Sequence, residues 1–203
     1  MESFIVWIGD LAEIRDDPTG NHNARVRQYL QMLLTEARKN GTSISWNDDQ
    51  EVVLAASLHD MGKMKIPDSI LLKAGRLNTR EFEEMKNHCL YGKELLEDMQ
   101  NRIPELNDSM LKYAINIAYC HHEKWDGTGY PEGLKGDAIP LEARMLALVD
   151  VYDVLMSKRP YKSPLSYEDT MKMIIDGRGS HFDPELVDLF IPIARDMIYT
   201  NKE

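Results

Sequence analysis

Apolar residues recur every three to four positions along most of this chain, while β-branched runs with a period of two are absent. That pattern predicts an all-α fold. Residues 3–15 carry a stripe of Phe4, Trp7, Ile8, Leu11 and Ile14, and residues 22–38 carry Val26, Leu30, Leu33, Leu34 and Ala37. A third helix is expected over 48–61, capped at Asn47 and stopped by Gly62. Asn78, with Glu81 three residues on, opens a helix over 79–99. Further helices are expected from about 108 to His121-His122 and over 141–157. Ser166 opens another that ends near Ile175 before Gly177. Asp183-Pro184 places a cap ahead of proline at the first helical position and opens the last helix, which Pro192 should kink or break.

One long stretch resists this pattern. KWDGTGYPEGLKGDAIP, residues 124–140, holds four glycines and two prolines. A loop of that length inside a compact domain is usually functional or disordered, and Trp125 and Tyr130 argue against disorder. No repeat, low-complexity segment or linker interrupts the chain. Residues 19–203 are therefore read as one domain. Residues 1–18 are read as a leading helix that could be a connector from a larger parent.

The chain has 203 residues, enough for a core without disulfide staples. No apolar run approaches the ~20 residues of a membrane span, and no secretory signal is recognisable at the N-terminus. Cys89 and Cys120 form no disulfide framework, fit a cytoplasmic location and are read as buried structural thiols. Lys and Arg number 24 against 34 Asp and Glu, a formal net charge of −10. Such a chain is a poor nonspecific binder of long nucleic acid. A small anionic substrate would need local positive charge, which bound divalent cations supply.

Six histidines are present. His59-Asp60 ends one apolar helix and His121-His122 ends another. Adjacent helical residues point ~100° apart, so a donor pair on a last turn can serve two neighbouring ions, or one from two sides. Imidazole and carboxylate donors suit Mn, Fe, Ni or Zn. Asp60 and Asp150 lie in the apolar stretches LAASLHDM and MLALVDVY, where an unpaired carboxylate costs several kcal/mol. A counter-cation is the economical explanation. His181 is read as structural, and the acidic run Glu81-Phe82-Glu83-Glu84 as a solvated first helical turn.

These segments, taken in order, resemble the HD-GYP family, a branch of the HD-domain metal-dependent phosphohydrolases. The matching stretches are TGNHNARVRQY at 19–29, HDMGKMKIPDSILLKAGRL at 59–77 and MKNHCLYG at 85–92. HHEKWDGTGYPEGLKGDAIPLEAR follows at 121–144, VDVYDVLMSKRPYK at 149–162 and GSHFDPELV at 179–187. The resemblance implies a single helical HD-domain bundle in which residues 124–140 form the GYP loop. It also implies hydrolysis of cyclic di-GMP to pGpG, in some members on to GMP. His22, His59, Asp60, His88, His121, His122 and Asp150 match the family's metal ligands. The implied partition puts His22, His59 and Asp150 on one ion, His88, His121 and His122 on the other, and Asp60 between. Lys63 matches the phosphate-contacting lysine, which with Asp60 forms the catalytic pair. Asp153, Arg159 and Lys162 match positions near the nucleotide, and Gly129, Tyr130 and Pro131 are the GYP triplet.

Trinuclear members commonly carry a glutamate where this chain has Pro18. Two divalent transition-metal ions (Fe, Mn or Ni, with Zn open) are therefore expected, and pGpG as the main product. The resemblance further implies GGDEF-domain proteins as partners of the GYP face, and a homodimer stays open. Two other readings remain: a module that binds a cyclic dinucleotide or a partner without hydrolysis, and a phosphohydrolase acting on another nucleotide such as cyclic GMP-AMP.

Overall fold

The computed structural model describes residues 2–15, 21–103, 106, 108–157 and 163–199. Eleven α-helices are formed among them: α1 (Glu2–Glu13), α2 (His22–Lys39), α3 (Asp49–Ala56), α4 (Asp68–Leu71), α5 (Thr79–Lys86), α6 (His88–Arg102), α7 (Asp108–Cys120), α8 (Leu141–Met156), α9 (Tyr167–Asp176), α10 (Pro184–Phe190) and α11 (Ala194–Tyr199). No strand occurs among the described residues beyond an isolated bridge between Arg178 and Phe182. The all-α expectation holds.

The core is what the periodicity dictates. Helix α2 buries Val26, Tyr29, Leu30, Leu33, Leu34 and Ala37 completely. Helix α8 is buried nearly all round, from Ala143 to Leu155. Tyr152 of α8 meets Tyr29 and Phe190 edge-on, and its hydroxyl donates to the Ala194 carbonyl at 2.8 Å. A ring this size can be buried without penalty because its one polar atom is satisfied.

Four boundaries differ from the sequence reading. The cap of α3 is Asp48, whose carboxylate accepts from the Gln50 amide, rather than Asn47. Helix α3 stops at Ala56, and from Ser57 onward the backbone closes i→i+3 bonds that lead into a 3₁₀ turn at Met61–Lys65. Gly62 is not a left-handed stop. A Cβ there would lie 1.8 Å from the His88 carbonyl oxygen and 2.4 Å from the Gly92 amide nitrogen. Its lack of a side chain lets the 3₁₀ turn seat on α6. The helix expected over 79–99 is broken at Asn87. Helix α5 has its predicted Asn78/Glu81 capping box yet buries nothing, whereas α6 turns inward. Pro192 marks a break between α10 and α11, as expected.

Helix α1 also differs. Phe4, Trp7, Leu11 and Ile14 are between 45% and 58% exposed, while Ile5, Gly9, Ala12 and Glu13 face the bundle. A Cβ on Gly9 would lie 2.2 Å from the Ser57 carbonyl oxygen, so the small residue lets α1 approach the end of α3. The Glu13 carboxylate accepts from the His22 and Asn23 amides at 2.9 and 3.1 Å. It thereby satisfies the N-terminal amides of α2, where Asn21 makes no side-chain cap. Helix α1 is thus packed against the start of α2 and the end of α3.

Candidate metal centre

The HD-bearing turn, the ends of α6 and α7, the start of α2 and the middle of α8 bring seven donor residues together. Each of four imidazoles is held by its Nδ1. His59 meets the Ala56 carbonyl oxygen at 2.9 Å, His88 that of Met85 at 2.7 Å and His121 that of Ile117 at 3.0 Å. His22 Nδ1 meets Asp153 Oδ2 at 2.7 Å. Anchoring one ring nitrogen to an acceptor fixes the tautomer and leaves the other as a lone-pair donor. The four Nε2 atoms are the ones turned to the centre.

They fall into two groups. His22 Nε2 lies 3.3 Å from Asp150 Oδ1, and these two with His59 have donor atoms within 4.8 Å of one another. The second group has His88 Nε2 3.4 Å from His121 Nε2. The His122 ring lies 4.1 Å from that of His121 and 5.0 Å from that of His88. Asp60 stands between the groups. Its Oδ2 is 3.2 Å from His59 Nε2, and its Oδ1 is 3.6 and 3.9 Å from the Nε2 atoms of His88 and His121. His59 Nε2 and Asp60 Oδ1 are buried and make no hydrogen bond. Two buried lone-pair atoms without hydrogen-bond donors, converging with further lone pairs, fit divalent cations.

The electrostatics of the groups differ. Burial would lower the His22 imidazole, but its hydrogen bonds to Asp150 and Asp153 outweigh that and raise it to about 10. Burial opposes ionisation of Asp150 as well, and contact with His22 still holds this carboxyl well below its usual range. In the second group burial dominates. It pushes His121 down to about 3 and His122 well below its ordinary value. Asp60 is held well below the usual range by Lys63 and His59 against the cost of burial. Lys63 Nζ lies 2.8 Å from Asp60 Oδ2, at the edge of the centre.

Several expected residues land elsewhere. Asp153 has no exposed surface, and its carboxylate is taken by His22 and by a bidentate pair with Arg25 at 2.6 and 2.8 Å. Expected near the nucleotide, it lies beneath the site as an orienting group, because a fully buried carboxylate must spend its lone pairs on nearby cations. Arg159, Lys162 and Pro18 lie outside the described residues. His181 stacks on Phe182, ring centroids 4.2 Å apart.

The GYP loop is built around Glu123, which the sequence reading passed over. Its buried carboxylate accepts from the Glu132 and Gly133 amides at 2.8 and 3.1 Å. Gly129 is demanded by proximity, since a Cβ there would lie 2.3 Å from the Lys124 amide nitrogen. The loop sets Tyr130 against His122, ring centroids 4.8 Å apart, with Phe82 edge-on to Tyr130 and Lys86 Nζ over both rings. Trp125 packs under Arg144, and its backbone joins the loop to His181.

A family model described as "HD domain" matches residues 7–186. A probable cyclic di-GMP phosphodiesterase of Vibrio cholerae is 46% identical over 198 residues, covering 94% of this chain and 44% of its own length. A cyclic di-GMP phosphodiesterase of Thermotoga maritima is 36% identical, covering 92% and 48%. A 3'3'-cGAMP-specific phosphodiesterase of Vibrio cholerae is 40% identical, covering 91% and 33%. This chain spans less than half the length of each of these three. An HDG"Y"P protein of Bdellovibrio bacteriovorus shares the fold, with a TM-score of 0.61 over 86% of this chain and 51% of its own, at 22% identity. The chain belongs to the HD-domain family, in its HD-GYP branch. Divalent metal binding comes with that membership. Among the described residues, no helix is long and apolar enough to cross a membrane.

Proposed function

We propose that this chain is a cytoplasmic, metal-dependent phosphodiesterase that opens cyclic di-GMP to pGpG. The observation that carries the reading is the pair of orphaned atoms, His59 Nε2 and Asp60 Oδ1, between two groups of anchored imidazoles. His22, His59 and Asp150 would hold one ion, His88, His121 and His122 the other, with Asp60 shared. Bound there, divalent ions would neutralise the non-bridging oxygens of a phosphodiester and lower the pKa of a bound water.

The protein's own groups do the rest. Lys63, beside Asp60, adds a fixed ammonium that can donate to a phosphate oxygen or give a proton to the departing ribose oxygen. Asp153 and Arg25 hold the His22 ring in one orientation. Tyr130 packs against the His122 ring and supports it from that flank. Arg159 and Lys162 are assigned to the nucleotide, as are Gly129 and Pro131 beside Tyr130. The absence of a ligating side chain at Pro18 supports two ions and arrest at pGpG.

The name of the 40%-identical cGAMP-specific relative favours a second reading, in which the substrate is the hybrid cyclic dinucleotide. Chelated chain should leave both dinucleotides intact. With Mn²⁺ or Fe²⁺ restored, cyclic di-GMP should disappear as pGpG accumulates. Faster loss of 3'3'-cGAMP would select the second reading, and binding without turnover of either would overturn both.

A further inference from the structure

We propose that α1 carries a homodimer interface, in which its outward apolar stripe pairs with the same stripe of a second copy as a short parallel coiled coil. The pairing is independent of the metal centre. It gives a role to apolar residues whose spacing predicts burial and which the domain leaves open.

Phe4, Trp7, Leu11 and Ile14 recur at alternating intervals of three and four, the a and d spacing of a heptad. The Ile14 amide still donates to the Asp10 carbonyl oxygen at 3.1 Å, so the helical turn reaches the last of them. At ~100° per residue these side chains fall within about 80° of one another. Ile5, Gly9, Ala12 and Glu13, which are buried against the domain, centre on the opposite side. A helix held to its own domain by b, c and f positions thus turns an a/d seam outward, and each seam residue is about half exposed. Phe4 and Trp7 already stack on each other there, ring centroids 6.4 Å apart.

Shape, charge and area all select a second copy as the occupant. The seam is self-complementary, because in a parallel pair each a and d residue meets its own counterpart across the two-fold axis. Asp10 and Arg15 border it at g and e, the positions that face each other in such a pair, so opposite charges meet on both sides. Arg15 also bonds Asp68, and 34% of its side chain remains open. With about half of each side chain free, and roughly 150–250 Å² to a whole aromatic, the seam offers on the order of 400 Å² per copy. A standard interface takes ~800 Å² per partner. The seam forms its apolar centre. A groove of about 730 Å³ beside it, walled by Val6, Met32, Val53 and Leu54 and bordered by Asp10 and Arg27, supplies the flank. An anionic lipid surface fits less well, since α1 has no Lys or Arg and carries Glu2, Asp10 and Glu13.

Sedimentation velocity of the full chain over a wide range of concentration tests this pairing. Wild type is compared with the double variant Trp7→Glu, Leu11→Glu, which places like charges in the seam. Wild type should be dimeric at high concentration, and the double variant should lose the dimer at every concentration with its helix content by circular dichroism unchanged. Leu11→Cys reads the same interface without depending on the folding of the charged variant. Identical a positions lie side by side in a parallel pair, so with oxidised glutathione Leu11→Cys should form a disulfide-linked dimer. Wild type, whose Cys89 and Cys120 are buried, should not. A wild type that stays monomeric throughout would overturn the proposal, whatever else covers the stripe. So would a dimer that persists in the folded double variant, or a dimeric Leu11→Cys protein that does not cross-link.

Discussion

The two halves of the centre solve the same problem in opposite ways. In the half built by α2 and α8, charges compensate one another: Arg25, Asp153, His22 and Asp150 form a chain of alternating sign, and the imidazole in its middle is raised to about 10. In the half built by α6 and α7, imidazoles crowd together, burial keeps them neutral, and His121 falls to about 3. The first half is internally neutralised and must give up a proton to take an ion. The second is a set of bare lone pairs at neutral pH. Proximity of donors is thus only part of a metal site; the charge already stored there decides what binding displaces.

Asp60 belongs to both halves, so its loss should erase the distinction. Asp60→Ala should hold neither ion firmly and show no turnover of cyclic di-GMP above background, as read by metal analysis and chromatography of the same sample. Full ion content in that variant would contradict a shared ligand. Lys63 belongs to neither half. Lys63→Ala should keep its metal and lose about 10²- to 10⁴-fold in turnover. Metal loss there, or an unchanged rate, would refute the assignment.

Arg25 separates the halves most cleanly. Arg25→Ala leaves Asp153 buried and half-compensated, which loosens His22. Affinity for the ion of the first half should fall about 10- to 100-fold, with the other ion unaffected. Equal weakening of both ions in a binding titration would mean that the halves do not act separately.

The smallest effect is on stability against pH, where the halves have opposite signs. With ions removed, folded His22 keeps a proton that the unfolded chain loses above its ordinary value of 6.5. Its stabilisation is complete below about pH 6.5 and fades as pH rises towards 10. Folded His121 refuses a proton that the unfolded chain accepts, so its contribution is complete above 6.5 and fades as pH falls towards 3. The Tm of the chelated protein should therefore peak near neutrality, and His22→Gln should flatten the alkaline side alone. A Tm of the chelated wild type that climbs steadily from pH 6.5 to 10 would contradict the charge pattern.

The sequence carried the helices well, since most of their apolar spacings and the caps at Asn78, Ser166 and Asp183 are local signals. It carried less of what depends on close approach. Gly62 and Gly129 look like turn residues in a string of letters, and only the packed chain shows that a Cβ at either would strike backbone. The exposed stripe of α1 misleads for a related reason: a short helix can turn its small residues inward when the neighbouring helix end lies close. Within the centre, the histidines that the structure brings together were legible through ordered motifs. Arg25, Asp153 and Glu123 as orienting groups were not, because second partners are chosen by three-dimensional reach. A signal for Glu123 was available in its place beside His121-His122 and ahead of a glycine-rich loop whose amides need an acceptor.

The central claim is that two adjacent cation sites sharing Asp60 make this chain a phosphodiesterase. The direct test is the turnover of cyclic di-GMP measured against ions bound per chain, from fully chelated to saturated. The account predicts negligible hydrolysis without ions and a maximum at two per chain, with pGpG as the main product. Full activity in the chelated protein, or intact cyclic di-GMP at saturation, would contradict it.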